Sequence, residues 1–174
     1  MKRQTLIVSI LLHALLLLVV YVFQGMIFPY MRLGRLVPLL LPIAATGVAV
    51  YEGRYAGGVT GLFAGILCDI SFNDPVGVFT VLLTMTGLLV GALADAVITR
   101  GFVTYYLSCA VVLMLSAFVQ MFPLLFFENV PPGPLLETAF RQTVYSLVMA
   151  FPIWFFVRAL GKRAERVSPS GRPL

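Results

Sequence analysis

The sequence predicts an all-α fold: a polytopic membrane bundle of six transmembrane helices forming one domain. Three observations predict it. Hydrophobic residues make up 60% of the 174 residues and charged residues only 11%, against about 25% charged in a soluble domain. Mean hydropathy is +1.01. The apolar residues fall into six runs parted by short breaks rich in Pro, Gly and Arg, as expected of helices that must satisfy their backbone groups internally in lipid.

The first run, residues 6–28, follows Met1-Lys2-Arg3-Gln4. It starts like a secretory signal, but it is too long for one and no small-residue cleavage site follows, so it reads as an uncleaved span. The second, residues 36–51, is short and carries Pro38 and Pro42. A kinked crossing, a thin one and a partly re-entrant segment all fit it; if it does not cross, the count is five. The third covers residues 56–72. Asn73-Asp74-Pro75 then forms a turn, with Asp74 as N-cap and Pro75 as first helical residue of the next helix. The fourth run is 76–99, and Arg100-Gly101 separates it from the fifth, 102–127. A proline-rich loop from Glu128 to Pro134 precedes the sixth, 135–160, where Pro152 predicts a kink. Residues 161–174 form a basic tail with the composition of a disordered segment.

Charge sets the orientation. With both termini in the cytoplasm, the inner segments hold Lys2, Arg3, Arg54, Arg100, Lys162, Arg163, Arg166 and Arg172, and the outer ones Arg32 and Arg35. Such a bias is the signature of cytoplasmic loops. The net charge of +5 is therefore an orientation signal and not a nucleic-acid footprint.

Two stretches repeat each other. Gly61 to Asp69 and Gly87 to Asp95 both read Gly-Leu-x-x-Gly-x-Leu-x-Asp, 26 residues apart. Gly53 and Gly57 extend the first ladder backwards, so Gly53, Gly57, Gly61, Gly65 and Asp69 keep a step of four; Gly87, Gly91 and Asp95 do the same. On a helix such residues share one face, and small residues there let another helix backbone approach closely. The pattern predicts that helices three and four pack near the middle of the bundle. It fits inverted symmetry of the transporter kind and equally a convergence of residues common in membrane helices. These eight residues are the candidate helix-packing or partner interface. Asp69 falls near the outer interface and Asp95 near the inner one, each able to hydrate, cap a helix or meet an arginine.

Other polar residues have local explanations. Glu137 and Arg141 are four apart and suit an ion pair. His13, alone in its run, suits an interhelical hydrogen bond. Tyr21, Tyr51, Tyr55, Tyr105, Tyr106 and Trp154 read as an aromatic belt. Cys68 and Cys109 read as small buried hydrophobes. One histidine cannot build a multi-histidine metal site, and no nucleophile triad or phosphate loop is present, so neither an enzyme nor a cofactor is expected.

The stretch from Pro38 to Asp95 resembles the MreD family of bacterial rod-shape-determining membrane proteins. The carriers are the Pro-containing second segment, Tyr51-Glu52-Gly53, Gly61-x-x-x-Gly65-x-x-x-Asp69, Gly77 and the Gly87 segment. The resemblance implies a non-catalytic scaffold subunit of the inner-membrane elongation complex. It would act with an MreC-like bitopic protein and, through the complex, with a class B penicillin-binding transpeptidase and the RodA glycosyltransferase, alongside MreB filaments, in contact with membrane lipid. MreD-like proteins resemble in architecture the substrate-binding subunits of energy-coupling-factor vitamin transporters, which supply the alternative function. That alternative needs an Ala-x-x-x-Ala patch on helix one, where only Ala14 stands, and convergent polar groups outside, for which Asp69, Asn73 and Asp74 are the best candidates.

Overall fold

In chain order the helices are α1 (Lys2–Ile27), α2 (Leu40–Glu52), α3 (Arg54–Phe72), α4 (Val78–Ala96), α5 (Phe102–Phe127) and α6 (Pro132–Val167). The computed structural model describes residues 2–27, 39–72, 77–96, 101–127 and 132–167, and no strand occurs among them. By length and composition Val78–Ala96, Phe102–Phe122 and Gly133–Arg158 suffice to cross a membrane; Leu12–Met26 and Leu40–Glu52 are shorter apolar helices.

Helices consecutive in the chain run in opposite directions. His13 of α1 meets Glu52 at the end of α2, and Gln24 meets Leu40 at its start. Tyr105 and Met114 of α5 meet Ala150 and Thr143 of α6 in reverse order. Leu39 beside Ser146 and Gly47 beside Val157 make α2 and α6 parallel.

The centre belongs to α2, which corrects the expectation that helices three and four occupy it. Every residue from Leu40 to Val50 is buried. The cause is compositional: Ala44, Ala45, Gly47 and Ala49 keep this helix thin, and it is apolar on all sides, so it is stable only when surrounded. By contrast α3 and α4 expose Phe63, Ile66, Ile70, Val81 and Leu89. At 13 residues, α2 is about 20 Å long, short of a core of about 30 Å. Pro42 lies in its first turn, where a missing N–H costs least. Pro38 lies outside the described residues, as do the proposed cap Asp74 and Pro75; α4 starts at Val78, after Gly77 at φ 105°.

Two further readings change. Tyr105 is not part of a belt: it is fully buried, and its hydroxyl donates to the Ala150 carbonyl at 3.3 Å. Tyr106 likewise donates to the Leu147 carbonyl at 2.9 Å, and Trp154 Nε1 to the Tyr51 hydroxyl at 2.6 Å. These aromatics tie α6 to α5 and α2. The sixth helix also does not end at residue 160 but continues to Val167. Lys162, Arg163, Ala164, Glu165 and Arg166 are strong helix formers, and the next stop signal is Ser168-Pro169. Residues 168–174 of the expected tail lie outside the described residues. Cys68 and Cys109 are buried thiols.

Candidate functional site: the crossed clasps of helices three and four

The α3–α4 pair is the most extensive helix contact in the molecule, and the glycines make it so. A Cβ added at Gly61 would collide with the Leu83 carbonyl, and one at Gly65 with Thr80 Cα and the Phe79 carbonyl. A Cβ at Gly87 would strike the carbonyl of Gly57, and a Cβ at Gly57 would lie 2.7 Å from the carbonyl of Gly87 and 2.5 Å from Ala49 Cβ. A Cβ at Gly91 would meet the backbone of Arg54 and Gly53. Backbone lies against backbone along the whole seam, which is the close packing that small residues permit in lipid.

Each ladder ends in a carboxylate that holds the start of the other helix. Asp69, in the last turn of α3, accepts four hydrogen bonds from the beginning of α4. Phe79 N donates to Oδ1 at 2.9 Å; Gly77 N, Thr80 N and Thr80 Oγ1 donate to Oδ2 at 3.0, 3.1 and 2.6 Å. Asp95, in the last turn of α4, accepts from Arg54 N at the start of α3 at 3.1 Å. The first amides of a helix have no partner within it, and its N-terminus favours negative charge. A carboxylate delivered from the neighbouring helix answers both needs. Gly53, at φ 91°, turns the chain between α2 and α3, and a Cβ there would lie 2.7 Å from Asp95 Oδ1.

The contacts repeat with the sequence. Adding 26 to the first residue number and subtracting 26 from the second turns Gly61–Leu83 into Gly87–Gly57, Gly65–Thr80 into Gly91–Arg54, and Asp69–Thr80 N into Asp95–Arg54 N. The repeat is therefore in register with a local two-fold relation between the antiparallel helices. Its two ends are not equal: Asp69 is buried, whereas Asp95 and its bond to Arg54 are exposed.

Beside this pair lies the corner made by Tyr51-Glu52-Gly53. His13 Nε2 and Glu52 Oε1 are 2.8 Å apart and mostly buried, which joins α1 to α2. At the other end of α2, whose cap position Leu39 has no side chain to offer, two distant residues supply acceptors. Gln24 Oε1 takes the amides of Leu40 and Leu41 at 3.2 and 3.4 Å, and Ser146 Oγ takes that of Leu39 at 3.0 Å. Neither Gln24 nor Ser146 stands out in the sequence. The only signal is indirect: a buried helix that starts on Leu-Leu-Leu must find acceptors elsewhere. Arg141 and Glu137 pair at 2.6 Å on the exposed side of α6.

Chemically, these clasps hold backbone. Asp69 and Asp95 stand at opposite ends of α4, which is 19 residues or about 28 Å long, beyond the reach of shared acid–base work. No group of three or more His, Cys, Asp or Glu suited to a metal occurs among the described residues. A family model described as rod shape-determining protein MreD matches residues 2–164. The chain belongs to the MreD family. The match takes in both glycine ladders, both clasps and nearly all of α6. MreD proteins are shape-determining membrane proteins, and the helical apolar architecture described above agrees with that membership. No curated protein and no solved structure matches the chain.

Proposed function

We propose that this MreD-family protein is a non-catalytic scaffold of the bacterial cell-elongation complex in the inner membrane, with both termini in the cytoplasm. Its direct partner is an MreC-like bitopic protein, and through the complex it serves a class B penicillin-binding transpeptidase and a RodA-type glycosyltransferase. One observation carries the reading: the carboxylates that end the two ladders, Asp69 and Asp95, hold the molecule's own backbone, while its outside offers long apolar helix faces. The glycines at 57, 61, 65, 87 and 91 face each other and are consumed inside the molecule. Partner contact therefore falls to outward stripes such as Leu136, Phe140, Val144, Val148, Phe151 and Phe155 of α6, all exposed and spaced as one helix face. A single-span partner helix suits such a stripe.

The transporter-subunit reading has less support. All four bonds of Asp69 go to α4, so the best outer polar group is spent on structure. Asn73 and Asp74 lie outside the described residues.

The test is purification of the tagged protein in mild detergent from its own host. Recovery of an MreC-like protein with wall-synthesis enzymes is the expected result, and Phe140→Ala with Val148→Ala should reduce it. Recovery of transporter ATPases or of a tightly held small molecule in their place would overturn the reading.

A further inference from the structure

We propose that the end of α6 beyond the bundle binds the headgroups of anionic phospholipids through a basic stripe rooted on Trp154. Trp154, Arg158, Lys162 and Arg166 follow one another at a step of four on a helix that continues to Val167. Each step advances the angle by about 40°, so the four positions form a stripe that turns through about 120° around the helix. The root is fixed. Trp154 donates to the Tyr51 hydroxyl at 2.6 Å and meets the ring of Phe102 edge-on at 5.1 Å. The Arg158 guanidinium lies 5.0 Å over the Trp154 ring, and Arg158 is exposed.

Position selects the partner. Because α2 and α6 run parallel, with Leu39 beside Ser146, Gly47 beside Val157 and Tyr51 bonded to Trp154, Glu52, where α2 ends, is level with the part of α6 from about residue 155 to 162. At that same level α3 begins and α4 ends, held by Asp95 on Arg54 N. Arg54 is also exposed, its guanidinium 4.6 Å over the Tyr55 ring. The bundle thus ends in an aromatic layer with basic residues beyond it, and aromatic rings of this kind settle at headgroup depth. Arg158 and Lys162 lie about 6 and 12 Å past Trp154 along the helix, within and just beyond a headgroup layer several ångströms thick. The acids at this level hold groups of the protein itself, Glu52 the His13 ring and Asp95 the backbone amide of Arg54. Residues 158–167 hold Arg158, Lys162, Arg163 and Arg166 against Glu165, a net +3. A guanidinium over an indole ring and exposed to the surroundings keeps N–H donors within reach of a ligand, and their fork matches a phosphodiester.

The proposal rests on the membrane placement and is independent of the scaffold role. The full chain is purified and offered an equal mixture of phosphatidylglycerol and phosphatidylcholine, and retained lipid is counted by native mass spectrometry. Preferential retention of phosphatidylglycerol is expected. Each basic residue near an anionic surface is worth about a fivefold factor, so Lys162→Gln with Arg166→Gln should remove most of the preference. The double variant leaves Arg158 on the Trp154 ring, which keeps the test valid if Arg158→Gln disturbs that contact. Equal retention of both lipids by the unaltered chain, or an unchanged preference in the double variant, would overturn it. So would loss of an acidic soluble protein from the double variant with lipid retention intact, which would assign the stripe to that protein.

Discussion

Asp69 and Asp95 occupy equivalent places in the sequence repeat, yet their substitutions should differ. Asp69 is buried and accepts four bonds; Asp69→Leu leaves three amides and a hydroxyl without acceptors, and a stranded buried donor costs about 1–3 kcal/mol. A loss of about 3 kcal/mol or more is expected. Asp69→Asn keeps one acceptor oxygen and should lose about 1 kcal/mol. Asp95→Leu should also cost about 1 kcal/mol, because water reaches the exposed amide it holds. Thermal unfolding in detergent ranks the three; equal losses for Asp69→Asn and Asp69→Leu would mean that the charge itself is required. Gly57 and Gly58 make a second adjacent contrast. A Cβ at Gly57 meets Ala49 and the Gly87 carbonyl, whereas one at Gly58 meets only the end of the Leu88 side chain at 2.6 Å. Gly57→Ala should cost about 1–3 kcal/mol by overpacking. Gly58→Ala should be close to neutral, since the leucine can turn away and alanine favours the helix by about 1 kcal/mol. Both ladders were legible because a step of four is a property of one helix. That each aspartate caps the opposite helix was not, since it depends on the antiparallel register, which no local pattern encodes.

Among the elements, α2 was the hardest to place from sequence and is the most deeply buried. Its short length and two prolines made its crossing ambiguous, and its uniform apolarity carries no periodic signal of which face is inside. The structure resolves it as a thin central helix whose ends are secured by residues from α1 and α6. The expectation that His13 bonds across helices holds, with Glu52 as its partner. Helix α1 buries Leu16, Leu17 and Val20 and exposes Leu15, Leu18, Val19, Val22 and Phe23, so the His13–Glu52 pair and Gln24 add polar contacts to a narrow apolar seam. A double-mutant cycle with His13→Ala and Glu52→Ala should give a coupling of about 1 kcal/mol, the scale of interhelical polar contacts in membrane proteins. Purely additive losses would show that α1 is held by apolar packing alone. The aromatic residues illustrate the opposite difficulty. Tyr105 stands near a helix start, where a belt residue would stand, but it faces inward and donates to Ala150.

For the whole molecule, alternation of direction makes a prediction about topology that does not depend on counting hydropathy peaks. The contacts set α1 against α2 and α5 against α6, and make α2 parallel to α6. Gly53 alone joins α2 to α3, whose Gly57 packs back on Ala49, and α4 opposes α3. The start of α1 and the end of α6 therefore lie at the same end of the bundle, together with Arg54 and Asp95. In the sequence, Lys2, Arg3, Lys162, Arg163 and Arg166 belong to the helix ends on that side and Arg100 to the α4–α5 connection, while the segment between α1 and α2 holds Arg32 and Arg35. Positive charge retains loops in the cytoplasm, so fluorescent-protein fusions after residue 99 and after Leu174 should both be active. Alkaline phosphatase fused after residue 34 or residue 130 should be active outside. The fusion after residue 34 is the decisive one, because α2 is too short to span by length alone. Its activity would mean that a helix of about 20 Å completes a crossing inside a protein shell. Inactivity there, with an active fusion after residue 130, would place the α1–α2 connection on the cytoplasmic side and require one terminus to lie outside.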